Sequence, residues 1–138
     1  TTGNEDCHII LRGGHAPNYD RANVDAAAIE LARAGVAPRI MIDTSHANSA
    51  KKPENQPLVV TDIAQQIAGG ERRIIGAMIE SNLVSGRQDV APGKALTYGQ
   101  SITDGCIDWD STVSALNLLA EAVETRRNAS RRFRELSA

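Results

Sequence analysis

Three short apolar runs along the chain each lead to polar residues that can take part in chemistry. The runs CHIIL, RIMI and RIIGAMI are rich in isoleucine and are followed by Arg12, Asp43 and Glu80. Runs of this kind are typical of buried strands in a parallel sheet. We predict strands over residues 7–11, 39–42 and 74–79.

Three other segments carry apolar residues at the i, i+3, i+4, i+7 spacing of an amphipathic helix. We predict a first helix over residues 23–34 that stops at Gly35, a second that begins near Pro57 and stops at Gly69, and a third that Asp110 caps. The predicted buried stripes are Val24, Ala27, Ala28 and Leu31 in the first helix, Val60, Ile63, Ala64 and Ile67 in the second, and Leu116, Leu119, Ala120 and Val123 in the third.

The alternation of strands and helices predicts an α/β fold with parallel strands joined by right-handed crossovers. Turns after the first two helices are short, whereas the loops after the strands are long and polar. Since the carboxyl ends of parallel strands meet at one edge, we expect functional side chains to converge there. Residues 81–109 show no periodicity, and we interpret them as an ordered functional loop.

Composition narrows the class of protein. With 138 residues, 41% apolar and 23% charged, the chain is predicted to be a single soluble, cytoplasmic domain with no membrane span or secretory leader. A net charge of -2 provides no basic field for nucleic acid, and the basic stretch 126–134 is interpreted as a solvated helix end. Cys7 and Cys106 lack the spacing of a disulfide framework or zinc site and are predicted to be buried thiols.

Taken singly, the candidate site residues have ordinary alternatives. Arg12, followed by two glycines, offers a planar fork of donors to an anion, but it would serve equally as a structural ion-pair partner. His46 could bind a metal or act as an acid or base, although a lone loop histidine is commonly neither. Asp104 by itself is typical of a turn or cap, and Asp43 could orient His46 as a hydrogen-bond acceptor.

Glu80 is the most informative of these residues, because burying a carboxylate after the apolar run IIGAMI is costly unless it is paired or holds a metal. His46, Glu80 and Asp104 together make a nitrogen and oxygen donor set. Such a set suits a divalent metal such as manganese, iron, cobalt or zinc.

Four motifs carry a resemblance to a known family. CHIILRGG, MIDTSHANS, QQIAGGERRIIGAMIESNL and YGQSITDGCIDW, in this order, resemble the carboxyl-terminal portion of class I 3-deoxy-D-arabino-heptulosonate 7-phosphate (DAHP) synthases and span nearly the whole chain. The resemblance implies the last three βα units of a (β/α)8 TIM barrel and a divalent metal. It also implies condensation of phosphoenolpyruvate with erythrose 4-phosphate to DAHP and phosphate, the first step of the shikimate pathway to aromatic amino acids.

Residue by residue, His46, Glu80 and Asp104 match the family's metal ligands, and Arg12 matches an arginine that holds the phosphate of phosphoenolpyruvate. The resemblance also implies a catalytic role for His46 and substrate contact by Asp104. The family's cysteine ligand comes from an earlier strand that this sequence does not contain, and neither Cys7 nor Cys106 is assigned to that role. His15 stands where a lysine is common in the family.

Residues 1–138 are thus expected to be the carboxyl-terminal part of one barrel domain, with the amino-terminal strands absent. Three strands cannot close a barrel, so inward faces and sheet edges are expected to lie open. We predict a fragment that is inactive in isolation, pairs with the missing amino-terminal segment and forms a homo-oligomer. The alternatives are a non-catalytic assembly or binding fragment that retains the metal and phosphate motifs, and another metal-dependent aldolase-type barrel.

Overall fold

The computed structural model describes residues 2–4 and 6–136 and shows an α/β fold with parallel strands. The principal sheet has the order β1 (Ile9–Leu11), β2 (Ile40–Asp43) and β3 (Ile74–Met78). Helix α1 (Arg21–Arg33) joins β1 to β2, and α2 (Gln56–Ala68) joins β2 to β3 after a single 3-10 turn at Pro53–Asn55. The predicted fold class is confirmed at this level, since the sheet is parallel and its connections are helical.

The segment 81–109 contains a second, small sheet that periodicity did not reveal. Strands β4 (Val84–Arg87) and β5 (Gln100–Ser101) pair in parallel. They are too short and too polar to produce an apolar alternation. Helix α3 (Trp109–Leu136) follows them and packs along α2.

The core lies on one face of the principal sheet, where all three helices contribute to it. Each fully buried isoleucine or valine stabilises the fold by about 1.5 to 3 kcal/mol. The buried cluster comprises Val24, Ala28, Ile40, Ile42, Val59, Ile63, Ala64, Ile67, Ile74 and Ala122. The stripes predicted for α1 and α2 are confirmed, because all their members except Val60 belong to this cluster or pack against it, and Val60 is itself buried.

The expectation that all three strands are fully buried is wrong, since only β2 is largely enclosed. Ile10 is 46% exposed because side chains alternate along β1 and its neighbours Ile9 and Leu11 take the core side. Ile75 is 54% exposed and lies where the pairing of β2 with β3 shifts register. The sheet therefore has one covered face and one that carries exposed apolar side chains.

Helix starts differ from the predictions because neighbouring aspartates provide the caps. The Asn23 backbone N–H donates to the Asp20 carboxylate at 3.1 Å, so α1 begins at Arg21. The Ser111 backbone N–H donates to the Asp108 carboxylate at 2.8 Å, and the predicted cap Asp110 lies inside the first turn of α3. Capping by these carboxylates satisfies amide groups that have no partner within the helix.

The stripe predicted for α3 is wrong, because the helix is rotated about its axis and buries a neighbouring face. Thr112, Ala115 and Ala122 are buried, whereas Leu116 is 53% exposed and Ala120 is also on the exposed side. Of the predicted stripe only Leu119 and Val123 pack against the core. Small residues on the buried face let α3 lie close to α2, and this tertiary packing outweighs the burial of one leucine.

The two cysteines differ in burial. Cys106 is buried as predicted, but Cys7 is exposed because β1 begins only at Ile9. The predicted strand start and the predicted burial of Cys7 are therefore both wrong. Within residues 2–4 and 6–136, no helix has the length and apolar character needed to cross a membrane.

Ion pairs stabilise the turn before β3 and connect it to helix α1. The side chain of Glu71 is 4% exposed and accepts hydrogen bonds from the Arg73 backbone N–H and Nε, both at 2.8 Å. These bonds from Arg73 lower the pKa of Glu71 from its ordinary 4.5 to about 2, although burial opposes them. Arg73 also pairs with Asp25 on α1.

We expect Glu71→Gln to lower the free energy of unfolding by about 2 to 3 kcal/mol at neutral pH. Because the folded pKa is depressed, this stabilisation is complete above pH 4.5 and is lost as the pH falls toward 2. Urea unfolding at a series of pH values should therefore show that the variant has lost much of the acid dependence in that range. Glu30→Gln, at the exposed pair with Arg33, is the control and should change stability by less than about 1 kcal/mol. An equal loss for both variants would contradict the expectation.

Candidate functional site

The predicted site residues meet at the carboxyl edge of the principal sheet. Arg12 follows β1, His46 follows β2 and Glu80 follows β3, so the parallel arrangement brings the three loops together. They line one cavity of about 330 Å³, together with Asp104 from the loop after β5. The remaining lining residues are Ser49, Lys51, Pro53 and Gly105.

Three of these side chains form a cluster that could hold a cation. One ligand atom from each of His46, Glu80 and Asp104 lies within 4.8 Å of the other two. The His46 Nε2 atom is 3.9 Å from Glu80 Oε1. An imidazole and two carboxylates at this separation can reach a single divalent ion, and their donor atoms suit manganese, iron, cobalt or zinc.

His46 is oriented by the residues that precede it. Its Nδ1 atom lies 2.7 Å from Asp43 Oδ2, and Asp43 is completely buried at the end of β2. The Ser45 hydroxyl and backbone N–H both donate to the other oxygen of Asp43, at 2.6 and 2.8 Å. With the Nδ1 proton donated to Asp43, the Nε2 lone pair points toward Glu80 and is available to a metal.

Gln56, a residue that sequence reasoning missed, holds the backbone of Glu80. Its side chain is fully buried at the start of α2. The amide nitrogen donates to the Glu80 carbonyl at 2.9 Å, and the amide oxygen accepts from the Glu80 backbone N–H at 3.0 Å. The Thr44 hydroxyl also donates to this oxygen at 2.9 Å. A glutamine beside Pro57 looks like an ordinary helix start, so no sequence signal indicates this role.

Main-chain pairing brings Asp104 to the edge of the sheet. The Ile107 backbone N–H donates to the Glu80 carbonyl, and the Asn82 N–H donates to the Ile107 carbonyl, both at 3.0 Å. Gly86 and Cys106 form an antiparallel bridge just beyond. The polar loop after β5 therefore folds back along the chain that leaves β3, which places Asp104 opposite Glu80.

The loop that carries Arg12 is fastened to the loop that carries His46. The Asn48 amide nitrogen donates to the carbonyls of Leu11 at 3.0 Å and of Asp43 at 2.7 Å, which ties the ends of β1 and β2 together. Gly13 has a φ of +76°, and a Cβ atom there would lie 2.7 Å from the Ala47 side chain. Glycine is required at this position for both reasons. The close backbone approach at Gly13 is therefore to the loop that carries His46.

The electrostatics of the cluster favour a cation. Burial raises the pKa of the Glu80 carboxyl, and the nearby carboxylates of Asp104 and Asp43 raise it further, while His46 lowers it in part. Carboxylates that disfavour one another's ionisation are stabilised by a positive ion placed between them. Burial also raises the pKa of the Cys106 thiol, whose sulfur donates to the Asp104 carbonyl at 3.6 Å.

Lys51 is a second residue that the sequence did not reveal. It lines the cavity with Arg12 and has a φ of +59°, and His46 and Ala50 also have positive φ. Such backbone conformations are uncommon for residues other than glycine and recur at functional sites. His15, by contrast, is exposed and does not line the cavity.

Comparison with known proteins identifies relatives with a common reaction. Residues 1–117 match the model of the DAHP synthetase I family. The Phe-sensitive phospho-2-dehydro-3-deoxyheptonate aldolase of Escherichia coli (strain K12) is 53% identical over 92% of this chain and 36% of its own length. The tyrosine-inhibited enzyme of Schizosaccharomyces pombe is 52% identical over the same shares. These relatives are DAHP synthases.

A solved structure supports the same relationship. The phospho-2-dehydro-3-deoxyheptonate aldolase of Francisella tularensis SCHU S4 superposes with a TM-score of 0.87 and 48% identity, over 91% of this chain and 37% of that one. This chain spans little more than a third of the length of the relatives it matches. The resemblance predicted from the four motifs is confirmed, and the chain belongs to the DAHP synthetase I family.

Proposed function

We propose that this chain is the metal- and phosphate-binding part of a DAHP synthase, which condenses phosphoenolpyruvate with erythrose 4-phosphate to DAHP and phosphate as the first step of the shikimate pathway. The observation that carries the proposal is the convergence of His46, Glu80 and Asp104 within 4.8 Å of one another. These residues share a cavity with Arg12. The relatives that match this chain are DAHP synthases.

Each residue has a role that its surroundings support. His46, Glu80 and Asp104 hold a divalent metal, and His46 is the catalytic residue that Asp43 keeps oriented. When bound, the metal supplies Lewis acid polarisation of the aldehyde oxygen. Arg12 binds the phosphate of phosphoenolpyruvate through its planar fork of donors. Asp104, the most exposed member of the cluster, also contacts substrate.

We propose further that residues 1–138 are the carboxyl-terminal part of a single (β/α)8 barrel and contain its last three βα units. Two facts support this arrangement: the chain covers 36% of the E. coli relative and 37% of the Francisella structure, and Ile10 and Ile75 expose apolar surface on the principal sheet. The missing strands would cover that surface and supply the remaining substrate contacts. Activity is therefore expected only with the amino-terminal segment present, in a cytoplasmic homo-oligomer.

The test is complementation. The amino-terminal portion of the E. coli relative is mixed with this chain, and phosphate release from phosphoenolpyruvate is followed with erythrose 4-phosphate and Mn²⁺. We expect release that needs both pieces and is abolished by a chelator. The matched control replaces this chain with the relative's own carboxyl-terminal portion. Release in the control but not with this chain would overturn the enzymatic proposal, and Mn²⁺ binding without turnover would favour the non-catalytic alternative.

A further inference from the structure

A group of arginines with no carboxylate partner among the described residues lies at the end of the sheet opposite the candidate site. This arginine cluster consists of Arg72, before β3, and Arg126, Arg127, Arg131 and Arg134, on the last turns of α3. Three of its members, Arg72, Arg126 and Arg134, line a cavity with the Gly69–Gly70 turn that ends α2. The cavity that contains His46 lies at the carboxyl ends of the strands, whereas this turn leads into the amino end of β3, so the two sites are separate.

Nothing in the described part of the chain neutralises the cluster. Among residues 2–4 and 6–136, no carboxylate oxygen lies within 4.0 Å of any of the five guanidinium groups. The nearest buried acid, Glu71, is already paired with Arg73. Five positive charges on one small surface repel one another, and an anion that reaches several of them is strongly favoured.

Neutral acceptors hold three of the guanidinium groups in place. Arg126 donates to the Glu71 carbonyl, and Arg72 donates to the Ser130 hydroxyl at 2.7 Å. Arg134 lies on the same side, where its Nε donates to the Ser130 carbonyl at 3.3 Å. These bonds orient the side chains and leave their charge uncompensated. The interpretation of residues 126–134 as a plain solvated helix end is therefore wrong for Arg126, which is half-buried and bonded to the turn before β3.

The arginine cluster lines two adjoining cavities. They have volumes of about 460 and 420 Å³ and share Arg72, Arg126, Ser130 and Arg134. The first adds an apolar wall that includes Ala68, Ala129 and the 73% exposed ring of Phe133. The second adds only Arg127 and Arg131. Cavities of this size suit small molecules, and the division into a basic half and a half with an aromatic wall indicates a ligand that carries several negative charges and one planar ring.

We propose that the arginine cluster binds a nucleoside polyphosphate, with the phosphate groups on the guanidinium groups and the base against Phe133. Guanidinium forks match phosphate oxygens in bidentate pairs, and aromatic rings stack on bases. A single inorganic phosphate would engage only part of the cluster and would leave the aromatic wall empty. The family model ends at residue 117, before the four arginines of α3. The proposal is therefore independent of the reaction proposed above.

The test is calorimetric titration of the chain with ATP, tripolyphosphate and adenosine at low salt with a chelator present. We expect ATP to bind with a dissociation constant tighter than about 100 μM and adenosine to bind far more weakly, because the phosphates supply most of the attraction. Arg131→Gln should weaken ATP binding about tenfold, the value of one charge-assisted contact. Arg132→Gln is the matched control, since Arg132 adjoins Arg131 on the same helix but lines neither cavity.

Phe133→Leu tests the ring separately and should weaken ATP binding about fivefold while it leaves tripolyphosphate binding unchanged. Circular dichroism of each variant verifies that α3 is retained. Equal effects of Arg131→Gln and Arg132→Gln on ATP binding, or no ATP binding at all, would overturn the proposal. Tripolyphosphate binding as tight as ATP binding, or displacement of ATP by a much tighter oligoglutamate peptide, would also overturn it, in favour of a ring-free polyanion or an acidic protein segment.

Discussion

His46→Ala is expected to weaken Mn²⁺ binding by the chain more than about 100-fold, since even the outer hydrogen-bond partners of a metal ligand are worth 10-fold to 100-fold. The substitution removes the only nitrogen donor from the cluster with Glu80 and Asp104 and leaves two mutually repelling carboxylates. In the complemented mixture, phosphate release should fall to the level seen with chelator. Isothermal titration with Mn²⁺ and the phosphate assay measure the two effects.

Two further variants define what the loss means. His8→Ala is the matched control, because His8 is exposed and lies outside the cavity, and it should leave both measurements unchanged. Asp43→Asn keeps all three ligands but replaces the buried carboxylate that orients His46, so it should weaken binding by roughly 10-fold to 100-fold. Wild-type affinity in His46→Ala would show that the cluster does not hold the ion.

Gln56→Leu is expected to lower the free energy of unfolding by about 3 kcal/mol. The substitution removes both hydrogen bonds to the Glu80 backbone. The part-buried Glu80 N–H is left unsatisfied, at about 1 to 3 kcal/mol, and the carbonyl loses one bond worth about 1 kcal/mol but keeps the Ile107 N–H. Because Gln56 fixes the chain where Glu80 leaves β3, Mn²⁺ affinity should fall as well. Urea unfolding and metal titration of the same preparation measure the two consequences.

Gln65→Leu provides the comparison, since Gln65 lies on the exposed side of the same helix. A change of less than about 0.5 kcal/mol is expected there. If both leucine variants unfold at the same urea concentration, Gln56 does not support the site in the way its contacts indicate.

The main elements could be predicted from the sequence where a local signal is strong. Isoleucine-rich runs and the apolar stripes of α1 and α2 predict burial, because the transfer of each apolar side chain out of water is favourable whatever its partners in the fold are. Arg12, His46 and Glu80 could be assigned to one edge because parallel strands have a common direction. The donor set of His46, Glu80 and Asp104 by itself indicated a divalent metal, whereas the resemblance supplied the phosphate of phosphoenolpyruvate as the ligand of Arg12. Both assignments stay predictions.

Other features could not be predicted because they depend on partners distant in the chain. Gln56 contacts Glu80 across 24 positions, and Asn48 contacts Leu11 across 37. The rotation of α3 depends on which of its faces fits α2, and its apolar stripe by itself favoured a different face. Strands β4 and β5 exist through pairing between short polar segments, for which periodicity provides no signal.

The sequence by itself determined the order of the three principal strands and the three α-helices and which chemical groups lie in the loops after the strands, because these follow from the spacing of apolar residues and from residue identity. Only the tertiary structure decided that an imidazole and two carboxylates lie within 4.8 Å of one another, and that five arginines, with no carboxylate partner among the described residues, line two adjoining cavities beside the turn after α2. Both outcomes depend on hydrogen bonds and packing between segments far apart along the chain. Such contacts form only once the core has set the distances between the segments.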